Sequence, residues 1–91
     1  MNYSVLVSKT FQRKYQQLQN NFQNQIRKSL KELQHDPYTS RSNCDVKSLT
    51  YTHPKKYRLR VGNYRAIYII ENKEVKVIDL IKREVGYGRL D

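Results

Sequence analysis

Apolar positions along this 91-residue chain follow helical spacing in its first half and strand spacing in its second. The run Tyr3-Ser4-Val5-Leu6-Val7 is short and mostly apolar, which predicts a first strand, and Ser8 after it suits a helix N-cap. Phe11, Tyr15 and Leu18 then recur at spacings of four and three, one face of a helix of about three turns. Asn20-Asn21 interrupts that pattern. Phe22, Ile26, Leu30 and Leu33 set a second helical stripe, which Asp36-Pro37 ends because the residue before a proline is pushed out of the helical region. Together these segments predict an αα-hairpin with Arg13, Lys14, Arg27, Lys28 and Lys31 on its outer faces. Residues 37–54 are polar and contain Pro37, Asn43 and Pro54, so a loop is expected there, with a short ordered segment near residues 46–49.

From residue 56 onward the period is two. Strands are expected over 56–61, 64–71 and 75–81. A two-residue turn at Gly62-Asn63 sets Val61 opposite Tyr64, Arg60 opposite Arg65 and Arg58 opposite Ile67. Asn72-Lys73 is a weaker turn signal, since type I′ geometry prefers glycine second. Alternation gathers Tyr57, Leu59, Val61, Tyr64, Ala66, Tyr68, Ile70, Val75, Val77 and Ile81 on one face, with Asp79 its only charge. That face should bury against the helices. The other face collects Arg58, Arg60, Arg65, Lys76 and, if the alternation continues, Lys82, around Ile67, Ile69, Ile78 and Leu80. The expected fold is α+β, a two-layer sandwich in the order β-α-α-β-β-β. Its sheet is mainly antiparallel and the αα-hairpin covers one face. Its length allows a single domain over 1–91 and no second core.

Charge changes this picture most. Eighteen Lys and Arg against eight Asp and Glu give +10, which makes a polyanion such as nucleic acid or the ribosome the expected partner class. The segment from Lys55 to Arg65, KKYRLRVGNYR, holds five cations and no acid. Like charges directly opposite one another weaken a hairpin, so arginines on one face point to an anionic ligand; a solvated basic face is the plain alternative. The longest apolar run is 66–70, too short to span a membrane or to serve as a signal core, and a cytoplasmic protein without a membrane partner is expected. Cys44 is the lone cysteine, has no activating base beside it in sequence, and reads as incidental. His35 and His53 lack a second ligand at metal-site spacing, and there is no glycine-rich phosphate loop, so neither metal nor cofactor is expected.

The segment YRLRVGNYRAIY, followed by a last strand ending in KREVGY, resembles the RelE/ParE superfamily of bacterial and archaeal toxins. The likeness spans nearly the whole chain and is strongest over residues 57–68. It implies a toxin of a type II toxin–antitoxin system, with a cognate antitoxin as partner. RelE-type members cleave messenger RNA in the ribosomal A site, and ParE-type members share the fold and poison DNA gyrase.

Carried over residue by residue, the resemblance places Arg58 and Arg60 at the strand-two cations, with Lys56 beside them as an RNA-phosphate contact. Arg65 takes the strand-three arginine, Lys82 and Arg83 the basic pair after the last strand, and Tyr87 the C-terminal tyrosine. Relatives often have His where this chain has Lys82, and Gly86 and Gly88 flank Tyr87.

Metal-free RNA cleavage needs a deprotonated 2′-hydroxyl, charge neutralised on the phosphorane, and a proton for the departing 5′-oxygen. Arg65 and Arg83 suit the second task, because guanidinium is always charged and grips phosphate in a bidentate fork. Lys82, crowded by Arg83 and Arg65, is the expected base, and Tyr87 the group that stacks on a base or orients the nucleophile. The expectation is therefore a ribosome-dependent mRNA endonuclease, with a gyrase inhibitor of ParE type as the alternative. A plain RNA-binding module is a third reading, against which stands the lack of aromatics interleaved on an exposed strand.

Overall fold

A computed structural model of the protein describes residues 2–49 and 53–83. Its elements run β1 (Ser4–Val7), α1 (Lys9–Gln16), α2 (Asn20–Glu32), β2 (Asp45–Ser48), β3 (Tyr57–Val61), β4 (Tyr64–Glu71) and β5 (Glu74–Lys82). The strands form one sheet in the order β1-β5-β4-β3-β2. β1 runs parallel to β5 and every other pairing is antiparallel. The α+β sandwich expected from the sequence is the fold observed. Among the described residues no helix is long and apolar enough to cross a membrane.

Ser8 joins the two layers. Its Oγ accepts from the Phe11 N–H at 3.0 Å, the N-cap bond that the sequence suggests, and its hydroxyl donates to the Ile78 carbonyl of β5 at 2.9 Å. The turn between the helices is closed by two side chains. The Tyr15 hydroxyl donates to the Gln23 carbonyl at 2.9 Å, while Gln23 Nε2 donates to the carbonyls of Tyr15 and Leu18, each at 3.0 Å. Carbonyls at the end of α1, which have no partner within the helix, are satisfied in this way. After α2 the Asp36 carboxylate accepts from the N–H groups of Tyr38 and Thr39, and the buried Tyr68 hydroxyl donates to the Pro37 carbonyl at 2.7 Å. Tyr68 burial pushes its phenol far above the ordinary tyrosine value, so it stays a donor at any working pH.

The core lies between the helices and the sheet. Phe11, Ile26 and Leu33 meet Leu59, Ala66, Tyr68, Val75, Val77 and Leu80 there. The hairpin register at Gly62-Asn63 is the one expected, with Val61 opposite Tyr64, Arg60 opposite Arg65 and Arg58 opposite Ile67. Gly62 carries a φ of +58° in that turn, a conformation glycine adopts without a Cβ clash. The weaker signal at Asn72-Lys73 also gives a tight turn, with φ of +50° and +66°.

Two expectations are corrected. The segment 45–48, expected as loop with a little order, is the edge strand β2, pairing Val46 with Leu59 and Lys47 with Arg58. Four residues with one apolar side chain carry too little periodicity to show as a strand. The second correction is larger. β4 and β5 shift register between Ile67, opposite Asp79, and Tyr68, opposite Val77, which leaves Ile78 as an extra residue in a β-bulge. Side-chain parity reverses beyond it. Leu80 is therefore in the core at 4% exposed and Ile81 is outside at 41%, the opposite of simple alternation. Asp79, at the bulge, does meet the helix layer, through the Lys14 ammonium at 2.7 Å.

Replacing Ser8 with Ala should cost about 1–2 kcal/mol, since it removes an N-cap bond and a tie to β5 together. Urea denaturation of Ser8→Ala beside Ser8→Thr, which keeps the hydroxyl, measures this. A pH dependence is also expected. The Asp36 carboxyl is held below its usual value by the Tyr38 N–H and by Thr39. Burial raises Asp79, but Lys14 and the Leu80 N–H outweigh that, leaving it lowered as well. A carboxylate depressed in the folded state contributes stability above its unfolded value near 3.9 and loses it as pH falls through the folded value. Stability should drop below about pH 4, with a shallower drop in Asp36→Asn and Asp79→Asn by denaturant midpoint.

Candidate nucleic-acid interface

The outer face of the sheet carries cations in rows set by strand pairing. Arg60 of β3 stands opposite Arg65 of β4, which stands opposite Ile81 of β5. In the next row Lys47, Arg58 and Ile67 lie side by side on β2, β3 and β4. Farther along come Ile69 and Lys76, with Lys76 bound to Glu71 at 2.8 Å. Positive charge thus gathers at the Gly62-Asn63 end. Beyond the last strand pair, the Arg83 N–H donates to the Asn63 carbonyl at 2.6 Å. That bond holds the Arg83 backbone beside the hairpin turn, one residue past the end of β5.

Parity predicts a face but not depth. Arg58 and Arg65 are buried, at 7% and 5% exposed, whereas Arg60 is only half-buried. The three arginines share one face, as expected, but as one accessible arginine beside two covered ones. Arg58 has an acidic neighbour that the sequence reading passed over. Asp45 of β2 lies opposite Arg60 in the backbone register, and its carboxylate is 3.5 Å from the Arg58 guanidinium. The Arg58 Nε is buried without a hydrogen-bond partner among the described residues. Asp45 and Lys47 could be placed on this face only by recognising β2, whose lone apolar residue is Val46.

Lys82 is not with the arginines. It pairs with Tyr64, on the helix side of the sheet, because the bulge has reversed parity. There it lines a cleft of about 520 Å³ with Lys14, Gln17, Leu18, Tyr64, Leu80 and Ile81. The crowding by Arg65 that would make it a base does not arise from this register. Lys56 is half-buried just before β3, and its carbonyl accepts from the Leu49 N–H at 2.8 Å. Tyr87 lies outside the described residues. Cys44, read from the sequence as part of a polar loop, is a core residue at 1% exposed. Burial pushes its thiol up, which suits packing and not nucleophilic chemistry.

The family model described as "ParE toxin of type II toxin-antitoxin system, parDE" matches residues 3–87. The chain belongs to this toxin family. It is a toxin of a type II toxin–antitoxin system, within the RelE/ParE superfamily that the hairpin and the last strand resemble. Solved structures agree on the fold. The archaeal RelE–RelB complex from Pyrococcus horikoshii OT3 is similar at a TM-score of 0.80 and 28% identity, over 94% of this chain and 100% of that one. The Mycobacterium tuberculosis RelBE2 complex gives 0.77 at 20% identity, over 91% of this chain and 100% of that one. The intact E. coli RelBE complex gives 0.62 at 22% identity, over 90% and 98%, and both of these likenesses speak for the fold alone. No curated protein sequence matches the toxin.

The two kinds of arginine should separate by mutation. Asp45→Asn removes the acidic neighbour of a buried guanidinium and should cost about 1–2 kcal/mol, less than a fully buried pair because Asp45 is half exposed. Arg60→Ala should stay within about 0.5 kcal/mol, as an accessible side chain usually does. Denaturant midpoints at constant slope measure both.

Proposed function

We propose that this toxin cleaves messenger RNA on the ribosome, in the cytoplasm, through attack of a 2′-hydroxyl on the adjacent phosphate. The observation that carries the reading is the pairing of Arg60 with Arg65 at the Gly62-Asn63 end of one sheet face, with the Arg83 backbone bonded to that turn. In the reaction the 2′-oxygen loses its proton and bonds to phosphorus, a 2′,3′-cyclic phosphate forms, and the 5′-oxygen leaves and takes up a proton. Negative charge peaks on the phosphorane oxygens. Guanidinium groups fixed in a partly buried sheet stabilise that charge without reorganising, which is where most of the catalytic effect of such a site comes from. Arg60, the accessible arginine, would grip the incoming phosphate, and Arg65 and Arg83 would meet the developing charge.

Lys82 is dropped as the base in this reading, since its register turns it toward the helices. The proton-handling task then falls to a group outside the arginine row or to the ribosome, and Tyr87 keeps the role the resemblance implies, stacking on a base or orienting the nucleophile. Weak activity on naked RNA follows, because a small flat face holds substrate poorly and the ribosome supplies the alignment. The antitoxin would be an acidic protein: RelE-named neighbours are solved as complexes with RelB, and a +10 chain attracts an acidic partner quickly at low salt.

A second reading, inhibition of DNA gyrase, is favoured by the ParE family match and by the register that sets Lys82 opposite Tyr64, away from the arginine face. One set of reactions separates the two. Purified toxin is incubated with translated and with naked messenger, read by primer extension, beside a gyrase supercoiling reaction. Cuts on translated messenger that fall on the order of 10²–10³-fold in Arg83→Ala support the nuclease. Supercoiling inhibition without RNA cuts would replace it with the gyrase reading.

A further inference from the structure

Tyrosines from four separate segments meet at the end of the sheet away from the Gly62-Asn63 turn. Tyr68 of β4 stacks on Tyr57 of β3, its opposite number, with ring centres 5.4 Å apart at 15°. Tyr38, in the loop after α2, meets Tyr57 edge-on at 5.9 Å and 79°. It meets Tyr3, just before β1, at 6.1 Å and 76°. Tyr68 is fully buried at the inner end of this row. Tyr38 is 52% exposed, more than Leu6, Val7 or Ile81, the other exposed large apolar side chains among the described residues.

An exposed tyrosine by itself is ordinary. This one is held out by a built loop. The Asp36 carboxylate accepts from the Tyr38 N–H at 2.9 Å and the Thr39 N–H at 3.1 Å. The Arg41 guanidinium donates to the carbonyls of Asp36 at 3.0 Å and Glu32 at 2.8 Å, and Tyr68 anchors Pro37 from beneath. The ring is therefore already in place before any ligand arrives, and little ordering remains to oppose binding. Cations flank it on both sides. The Lys55 ammonium lies 5.9 Å from the centre of the Tyr57 ring, and the Lys73 ammonium 5.1 Å from that of Tyr3.

We infer that this ledge is a stacking platform for single-stranded nucleic acid, with a base on the Tyr38 ring and neighbouring phosphates at Lys55 and Lys73. A rigid aromatic between cations matches a ligand that alternates planar rings with negative charges. An acidic peptide would use the lysines and leave the ring without a task. The platform escapes a reading of the sequence because its parts lie at 3, 38, 57 and 68 and its exposed ring comes from a loop, not from an interleaved strand. It is also independent of the cleavage reading, since the arginines lie at the other end of β3 and the platform predicts binding of free strand whether or not any strand is cut.

The chain has no tryptophan, so Tyr38→Trp places a single emission reporter on the ledge. Titration with a short single-stranded RNA should quench that emission, while a strand of abasic residues with the same charge should not. By fluorescence anisotropy Tyr38→Ala should bind the base-bearing strand about tenfold more weakly. Its affinity for the abasic strand should match that of the unsubstituted toxin, with circular dichroism as the folding control. Tyr38→Phe, which keeps the ring, should restore binding. Equal quenching by both strands, or Tyr38→Ala binding the base-bearing strand as tightly as the unsubstituted toxin, would overturn the proposal. So would affinity gained only when a protein partner is added. None of these outcomes depends on whether messenger is cleaved.

Discussion

Where β5 crosses from Val77 to Asp79, it advances two residues while β4 advances one, and Ile78 has no opposite number. The Ile78 carbonyl is met by the Ser8 hydroxyl, so the bulge is tied to the first turn of α1. A strand that slips by one residue exchanges its two faces, and register is therefore strongly fixed wherever one face is buried. Here the exchange occurs inside a single strand. Val75 and Val77 reach the core before the bulge and Leu80 after it, so both halves bury apolar surface that a straight strand would have left half in water. The same step sets Ile81 beside Arg65 and keeps Lys82 from the arginine face.

This accounts for which features could be read from the chain alone. The hairpin from Tyr57 to Tyr68 was legible residue by residue, because a two-residue glycine turn and strict alternation leave one register. Ser8 and the two helical stripes were legible for the same reason, as local chemistry with one local solution. The helix bounds were not: α1 ends at Gln16, Asn20 begins α2 where an interruption was read, and α2 ends at Glu32, before Asp36-Pro37. The later half of β5 was not. Nothing in VKVIDLIK marks which residue is extra, since every choice still alternates apolar with polar over short stretches, and the bulge is selected by contacts with Ser8, Lys14 and Ala66 that are remote in sequence. β2 escaped because its evidence lies on its partner. Val46 is a core residue only once Leu59 is beside it.

Depth was equally out of reach. Period-two counting put Arg58, Arg60 and Arg65 on one face, and they share it. It could not say that Arg58 and Arg65 would be covered while Arg60 stays accessible. Burial raises the cost of each charge and also its effect on a phosphate that approaches, because less water screens it. An arginine cluster of this kind trades stability for field strength. Asp45 offsets part of that cost for Arg58 from the edge strand, on the side away from Arg65 and Arg83.

The parallel pairing of β1 with β5 joins the first strand to the last among the described residues. During synthesis β1 and both helices emerge with no sheet to cover, since β5 separates β1 from every other strand. The Arg60–Arg65 row can form once the hairpin is out, but it lacks Ile81 beside it and Arg83 beyond until β5 has left the ribosomal tunnel. Sheets closed by such distant contacts assemble slowly, because the chain must be ordered over its whole length before the contact rewards it. For a toxin, that order of assembly acts as a delay. The row from Arg60 to Ile81 is complete only after β5 has emerged, and an antitoxin already present has the interval of final folding in which to reach it.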